Sequence, residues 1–199
     1  MEQKFYIDKK DHKISYYKDN KKYYININDK QLKEKFAIVG SRSIKDTEFI
    51  NIILNSIKFI FGTPAEIISG GAIGVDSIGE KWAIENNINT NIIKPDWVKY
   101  GKKAGFIRNE DIIKQCDVCI AIWDGISNGT KNDIGLCEKY KKDLILINIS
   151  DSSENDFIIF TYKEYNNEIK IEPDLFKTTS DNKKHIHNRW LPQPGIINV

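Results

Sequence analysis

The chain has 199 residues, of which 40% are hydrophobic and 29% are charged, a composition that predicts one globular domain with extensions and excludes a wholly disordered chain. Thirty Lys and Arg residues against twenty-eight Asp and Glu residues leave a net charge of +2, too weak a field to imply a protein that coats nucleic acid. Because no run of about 18 apolar residues and no signal-peptide pattern occurs, we expect a soluble, cytoplasmic protein without membrane contact.

The first part of the chain, residues 1–35, has short runs in which aromatic or β-branched residues alternate with polar ones: KFYID, KISYYK and KYYINI. The pair Asp19-Asn20 supplies a turn between two of these runs. This pattern predicts a small antiparallel β-meander as an N-terminal extension.

The middle part, residues 36–149, alternates five short apolar runs with four helical patterns. The runs are FAIV, EIIS, NIIK, VCIAIW and LILINI, and the helices are expected near 46–61, 75–86, 105–115 and 130–141. Strands separated by helices of this length predict an α/β fold, a Rossmann-like doubly wound parallel sheet of about five strands. Ligands of such sheets bind at the carboxyl ends of the strands, near the point where strand order reverses.

The last part, residues 150–199, predicts a hairpin from FIIFTYK and EIKIE around Asn166-Asn167, followed by a polar tail. Strands at both ends of the chain present edges that a small domain has to cover. We therefore expect a homo-oligomer.

Three loops after predicted strands carry glycines, hydroxyls and charges. The first is Gly40-Ser41-Arg42-Ser43, the second runs over residues 69–76 with three glycines, and the third runs over residues 124–130. Glycines let backbone N–H groups approach an anion at a helix N-terminus, which favours a phosphate-binding site. The alternative interpretation is that these loops are tight turns and nothing more.

The segments AIVGSR, ISGGAIGVDSIGEKWA, PDWVKYGKKAGFIRNEDI and CDVCIAIWDGISNGTKNDI occur in that order over residues 36–149. Together they resemble the SLOG superfamily, in particular its small bacterial and phage branch with the YspA-like pattern. The resemblance implies a Rossmann-like fold that binds nucleotides or nucleotide-derived signals such as ADP-ribose derivatives, sensing or sequestering them in antiviral signalling or in phage anti-defence. The superfamily also has DNA-binding members that load proteins onto single strands. The basic stripe that such binding would need does not occur in this sequence, so we expect nucleic acid not to be a partner.

The lonely-guy phosphoribohydrolases of the same superfamily imply an alternative function, hydrolysis of the N-glycosidic bond of a nucleotide. Arg108 falls where their arginine does, and residues 129–133 match their G-T-x-x-E motif with Asp133 in place of the glutamate. This chain departs from the motif of those enzymes in two ways: it lacks their Pro-Gly-Gly segment, and the Asp133 side chain is shorter than their glutamate. Both departures favour binding over catalysis. Arg108 could instead form a surface ion pair with Glu110 or Asp111, and Asp133 could be a helix-start carboxylate.

Two sets of site residues follow from the loops and the resemblance. The catalytic residues, if the chain is an enzyme, are Arg108 and Asp133. The residues expected to bind a nucleotide-type ligand are Gly40, Ser41, Arg42, Ser43, Gly70, Gly71, Ala72, Gly74, Asp76, Trp97, Arg108, Asn109, Asp124, Gly125, Ser127, Gly129 and Thr130. We expect phosphates on Arg42, Ser43 and the N–H groups of Gly70, Gly71, Gly129 and Thr130, and we expect no cofactor and no metal.

Cysteines and histidines give weaker signals. Cys116 and Cys119 form C-x-x-C without a second pair at metal spacing, so we expect core thiols rather than zinc ligands. His185 and His187 lack a third ligand and are expected to lie in a solvated tail.

Aromatic residues give three further expectations. Trp97 and Tyr100 follow the third strand, where they could stack on a base or ribose. Trp82 is expected in the core, and Trp123 could serve packing or stacking equally well.

Overall fold

The structure is a computed structural model that describes residues 2–8, 10, 13–18, 21–24, 31–149 and 157–165. The predicted turn at Asp19-Asn20, the second strand of the C-terminal hairpin and the tail with its two histidines lie outside these residues. The elements of the described residues are β1 (Glu2–Asp8), β2 (Ile14–Lys18), β3 (Lys21–Tyr24), β4 (Lys35–Gly40), α1 (Thr47–Phe61), β5 (Glu66–Ser69), α2 (Val75–Glu85), β6 (Asn89–Ile92), α3 (Trp97–Tyr100), α4 (Ala104–Gln115), β7 (Val118–Trp123), α5 (Asn128–Tyr140), β8 (Asp143–Asn148) and β9 (Phe157–Lys163).

Nine strands of the described residues form one sheet in the order β3-β2-β1-β9-β8-β7-β4-β5-β6. The five strands from β8 to β6 pair in parallel, and β9, β1, β2 and β3 continue the sheet by antiparallel pairing. The predicted fold class is therefore confirmed: a doubly wound parallel sheet with β additions from both ends of the chain. The division into three parts along the sequence stays a prediction.

Alternating side chains of the central strands enter two cores on opposite faces of the sheet. In β4, Phe36 and Ile38 pack with the buried stripes of α1 and α2, whereas Ala37 and Val39 pack with α4 and α5. A strand that is buried on both faces reads as a continuous apolar run, which is why FAIV and VCIAIW were recognisable. The side chains facing α4 and α5 include the small Ala37, Cys119 and Ala121, so these helices lie against the sheet where the site is built.

The first helix shows how the local sequence sets its ends. The Asp46 carboxylate accepts a hydrogen bond from the N–H of Phe49 at 3.0 Å, and Gly62 follows the helix with φ of 107°. Both features are ordinary end signals for a helix, and they confirm the predicted boundaries.

Two predictions along this region differ from the structure. Strand β6 begins at Asn89, two residues before the run NIIK, because it is an edge strand with exposed polar residues rather than an apolar run. The sequence also did not indicate α3, a four-residue helix whose Val98 is wholly exposed, so no apolar stripe marks it. Its start is held by the Asp96 carboxylate, which accepts a hydrogen bond from the N–H of Lys99 at 2.9 Å.

No helix in the described part of the chain is long and apolar enough to cross a membrane.

Candidate functional site

A cavity of about 590 Å³ opens at the carboxyl ends of β4 and β7. These two strands are neighbours in the sheet, and the chain proceeds outward from them in opposite directions, to β5 and to β8. This is the point where strand order reverses and where open α/β sheets place their ligands. At this point β4 needs a glycine, because a Cβ on Gly40 would lie 2.5 Å from the carbonyl oxygen of Ile122 and 2.7 Å from Cβ of Val75.

Most of the residues predicted from the loops come together around this cavity. Those that line it are Gly40, Arg42, Ser43, Ala72, Asp76, Trp97, Arg108, Asn109, Asp124, Ser127, Gly129, Thr130 and Asp133. The predicted residues that do not line it are Ser41, Gly70, Gly71, Gly74 and Gly125. Lining residues that sequence reasoning did not single out are Val39, Lys102, Gly105, Phe106, Ile126 and Asn128.

Two of the glycines after β5, Gly71 and Gly74, serve the loop itself rather than the cavity. Gly74 precedes α2 with φ of 88°, and a Cβ there would lie 2.9 Å from the backbone of Arg42. Gly71 has φ of 64° and faces Ile92 and Glu80, away from the cavity. Neither Gly70 nor Gly71 lines the cavity, and the Gly70 N–H interacts with the Asp76 carboxylate, so the expectation that both present N–H groups to a phosphate stays a prediction.

The floor of the cavity is built around a buried ion pair. Nη1 of Arg108 lies 3.5 Å from Oδ2 of Asp76, and the two side chains are 9% and 6% exposed. Burial raises the pKa of the Asp76 carboxyl, while the positive charge of Arg108 and the N–H groups of Ala72, Gly40 and Gly70 oppose that rise. The alternative interpretation of Arg108, a surface ion pair with Glu110 or Asp111, therefore does not hold, because Arg108 is buried and pairs with Asp76.

Asp133 is the second carboxyl of the floor, one turn into α5 and 4% exposed. Burial raises its pKa well above 3.8, and the negative charge of Asp76 adds to the effect, while Arg108 and Asn109 oppose it. Its Oδ1 has no hydrogen-bond partner, and the same is true of Nε of Arg108. The floor therefore contains one donor and one acceptor that the described residues leave unsatisfied.

At the rim of the cavity, Asp124 connects two loops by hydrogen bonds. Its Oδ2 accepts a hydrogen bond from the Ser43 hydroxyl at 2.5 Å, and its Oδ1 accepts from the N–H groups of Ile126 and Ser127 at 3.1 and 2.8 Å. Partial burial would raise the pKa of Asp124, but these hydrogen bonds, with one involving Ser41, lower it to about 2. Asp124 thus joins the loop after β4 to the residues just before α5, and the helix itself is capped by the Ser127 side chain, which accepts a hydrogen bond from the N–H of Thr130.

The mouth of the cavity combines exposed rings with exposed cations. Trp97 is 55% exposed and Phe106 is 54% exposed, and both line the cavity with Arg42 and Lys102. The ring of Trp97 lies against the first turn of α4, where a Cβ on Gly105 would lie 3.6 Å from its Cη2 atom. Both residues therefore line the same cavity, and the Trp97 ring lies next to the backbone of α4 just before Phe106.

The other aromatic residues fall away from the cavity. Trp82 is 3% exposed and donates a hydrogen bond to Oδ1 of Asn55, which confirms its place in the core. Trp123 donates to the carbonyl oxygen of Ser127 and does not line the cavity, so it positions the loop before α5. Tyr100 is partly exposed but is not a lining residue.

Cys116 and Cys119 are buried free thiols, which confirms the expectation of core cysteines. Within the described ranges, no group of three or more His, Cys, Asp or Glu residues is placed to hold a metal ion.

The fold and its cavity define a Rossmann-like α/β protein with a polar site at the reversal of strand order. The chain belongs to the family of the Gene 61 protein of Mycobacterium phage D29, with which it is 34% identical over 123 residues, 59% of this chain and 97% of the phage protein. The sequence model of a family described as DNA recombination-mediator protein A matches residues 16–100, a range that contains Arg42, Asp76 and Trp97.

Two solved structures are also similar. DNA processing protein A from Streptococcus pneumoniae is 19% identical with a TM-score of 0.48, over 58% of this chain and 50% of that one. DNA processing protein A from Helicobacter pylori, whose structure is described as giving insights into its unique single-stranded DNA binding mode, is 23% identical with a TM-score of 0.45, over 57% of this chain and 64% of that one. This chain thus spans about half to two thirds of the length of these proteins.

These comparisons correct the function expected from the sequence. The matching family model describes a DNA recombination-mediator protein, which overturns the interpretation of the chain as a binder of ADP-ribose-like signals in antiviral signalling and overturns the alternative of a phosphoribohydrolase. The expectation that nucleic acid is not a partner is wrong for the same reason. It rested on the weak net charge of the whole chain and on the lack of a basic stripe in the sequence, whereas the fold brings Arg42 and Lys102 to one cavity.

Proposed function

We propose that this chain binds single-stranded DNA at the mouth of the cavity. The observation that carries the proposal is the placement of two exposed rings, Trp97 and Phe106, beside two exposed cations, Arg42 and Lys102, at one opening. Proteins that bind single strands without sequence preference combine these two elements, cations for the backbone and rings on which bases stack. The match to a DNA recombination-mediator family supports DNA as the strand.

The segment that contributes Lys102 to the cavity is more favourable to a polyanion than the total charge of +2 indicates. Residues 97–103 contain Lys99, Lys102 and Lys103 and no acidic residue, and all three lysines are exposed. Arg42 reaches the same opening from the loop after β4. A cluster of this kind attracts phosphates locally even when acids elsewhere balance the chain.

Exposed rings favour a single strand over a duplex. The bases of a duplex are stacked on each other and offer no free face, whereas each unpaired base that stacks on an aromatic ring contributes about 1–3 kcal/mol. Trp97 and Phe106 are each about half exposed, so part of each side chain is accessible to such a base.

The experiment is fluorescence anisotropy of a labelled single strand of mixed sequence, titrated with wild type and with variants. Trp97→Ala and Phe106→Ala are each expected to weaken binding by about tenfold or more, the loss that one stacked base implies. The matched control is Tyr24→Ala, since Tyr24 is also 55% exposed but lies on β3, away from the cavity. A duplex of the same sequence should bind more weakly than the single strand.

Charge is tested in the same assay. Arg42→Ala should weaken binding, whereas Lys81→Ala should not, because Lys81 is an exposed residue of α2 that pairs with Glu85 outside the cavity. Binding that is absent in wild type, or that Tyr24→Ala and Lys81→Ala weaken as much as the cavity variants do, would overturn the proposal.

Within the superfamily, the narrower placement of the chain in the YspA-like branch stays a proposal.

A further inference from the structure

The exposed surface of α3 adjoins the mouth of the cavity. Trp97 begins this one-turn helix and lines the cavity, whereas Tyr100 ends the helix and does not line the cavity. The turn is regular, because the N–H of Tyr100 donates to the carbonyl oxygen of Asp96 at 3.0 Å. Residues three apart in a helix are neighbours on one face, with Cβ atoms about 5–6 Å apart. Tyr100 therefore lies beside Trp97 but outside the cavity.

Tyr100 combines an accessible side chain with a nearby cation. The residue is 38% exposed, and Nζ of the exposed Lys99 lies 4.9 Å from the centre of its ring. Because the attraction between an ammonium and a ring is weak at an exposed site, Lys99 can turn toward a phosphate that approaches the ring. A ring for a base and a cation for the adjoining phosphate are the two elements with which proteins bind single strands.

Positive charge extends beyond the cavity on this surface. Lys99, Lys102 and Lys103 are all exposed, but of these three Lys102 alone lines the cavity. Asp96, the acidic residue just before α3, accepts a hydrogen bond from the N–H of Lys99 at 2.9 Å. Cations therefore continue from the opening across α3 and the turn that follows it, Gly101–Lys103.

We propose that a single strand held at the mouth of the cavity continues across α3, where its next base stacks on Tyr100 beside Trp97. The adjoining phosphates meet Lys99 and Lys103. This inference rests on the proposed function, because it extends a strand that is already bound at the opening. Rings stack bases of any kind, since every base has a π-face, so α3 lengthens the site without adding a sequence preference.

The role of the ring is tested by anisotropy of a labelled oligo-dT strand of about 12 nucleotides, a length within the usual site size. Tyr100→Ala should weaken binding by about tenfold, the loss that one stacked base implies, whereas Tyr100→Phe keeps the ring and should bind about as tightly as wild type. The matched control is Tyr24→Ala, which should not weaken binding. Tyr24 also has a lysine over its ring, with Nζ of Lys22 5.3 Å from the ring centre, but it lies on β3.

The role of the two lysines is tested by the salt dependence of the same titration. Lys99→Ala and Lys103→Ala should each make the slope of log affinity against log salt concentration less negative by about 0.7, the effect of one lost phosphate contact. Lys22→Ala is the control and should leave the slope unchanged. Thermal unfolding checks that the variants are folded, and if Tyr100→Ala fails to fold, the slopes of Lys103→Ala and Lys22→Ala still decide.

The two proposals fail in different ways. If wild type does not bind the strand, or if Trp97→Ala binds it as tightly as wild type, the proposed function is wrong and the inference falls with it. If Trp97→Ala weakens binding but folded Tyr100→Ala does not, or if both lysine variants keep the wild-type slope, the strand is held at the mouth and does not cross α3. A loss in Tyr100→Ala that Tyr100→Phe shares would assign the effect to the hydroxyl and overturn stacking on the ring.

Discussion

The guanidinium of Arg108 occupies the space beside Gly70 that any other residue would fill with its Cβ. A Cβ placed on Gly70 would lie 1.0 Å from Nη1 of Arg108 and 2.9 Å from Oδ2 of Asp76. The absence of a side chain at position 70 is therefore a condition for the buried pair of Arg108 and Asp76, and with it for the floor of the cavity.

Gly70→Ala should disrupt this pair. The new Cβ displaces the guanidinium, and breaking a buried ion pair costs about 3–5 kcal/mol. We expect a reduced free energy of unfolding in urea and weaker binding of a single strand in the anisotropy assay. Unfolding that matches wild type would contradict the close packing of Gly70 against Arg108.

The matched control is Gly135→Ala. Gly135 lies in α5, and a Cβ there would meet no atom within 4 Å. Replacing a glycine in a helix interior should stabilise the protein by about 0.5–1 kcal/mol, so the two substitutions of the same type should shift stability in opposite directions.

Asp124→Asn should loosen the rim, because Asp124 joins Ser43 in the loop after β4 to the residues before α5. A carboxyl whose pKa is lowered by folding stabilises the folded state when the pH is above its ordinary pKa of 3.8. That contribution is lost as the pH falls through the lowered pKa of about 2. The difference in unfolding free energy between wild type and Asp124→Asn should therefore be present at about pH 6, shrink as pH falls below 3.8 and disappear as pH falls through about 2. Urea unfolding across this range measures it, and a difference that does not change with pH would contradict the role of the charge.

The strands and long helices of the central sheet were predictable from local signals, whereas the order of the strands in the nine-stranded sheet was not. Strands buried on both faces appear as apolar runs, and Asp46 and Gly62 mark the ends of α1, so five parallel strands and four long helices could be predicted from spacing alone. The rule that ligands bind where strand order reverses then indicated the loops after β4, β5 and β7.

The contacts within the site were not predictable in the same way. Asp76 and Arg108 are 32 residues apart, and their pairing depends on how α2 and α4 approach each other across the end of the sheet. Lys102 and Phe106 carry no motif of their own; they reach the mouth because α3 and the turn after it redirect the chain before α4. Net charge did not point to the proposed DNA site because it averages over the chain, whereas a binding site depends on where the charges lie.

Asp133→Asn should have the opposite dependence on pH from Asp124→Asn. A carboxyl whose pKa is raised by burial holds its proton more tightly in the folded state, so its favourable contribution exists below 3.8 and is lost as pH rises through the raised value. The neutral amide avoids that loss, so the variant should be more stable than wild type at neutral pH, with the gain shrinking toward about pH 4. Thermal unfolding of both proteins from acid to neutral pH measures this, and a variant that is less stable at neutral pH would contradict a cost of burying the Asp133 carboxylate.

Arg42→Ala should reduce the salt dependence of strand binding as well as its strength. Each phosphate contact to a single strand contributes a slope of about −0.7 to the plot of log affinity against log salt concentration, because it releases condensed counterions. Loss of the Arg42 contact at the mouth should make that slope less negative by about 0.7. Trp97→Ala should lower affinity with the slope unchanged, since stacking releases no counterion. Titrations at several salt concentrations separate the two effects, and an unchanged slope in Arg42→Ala would mean that Arg42 does not contact a phosphate.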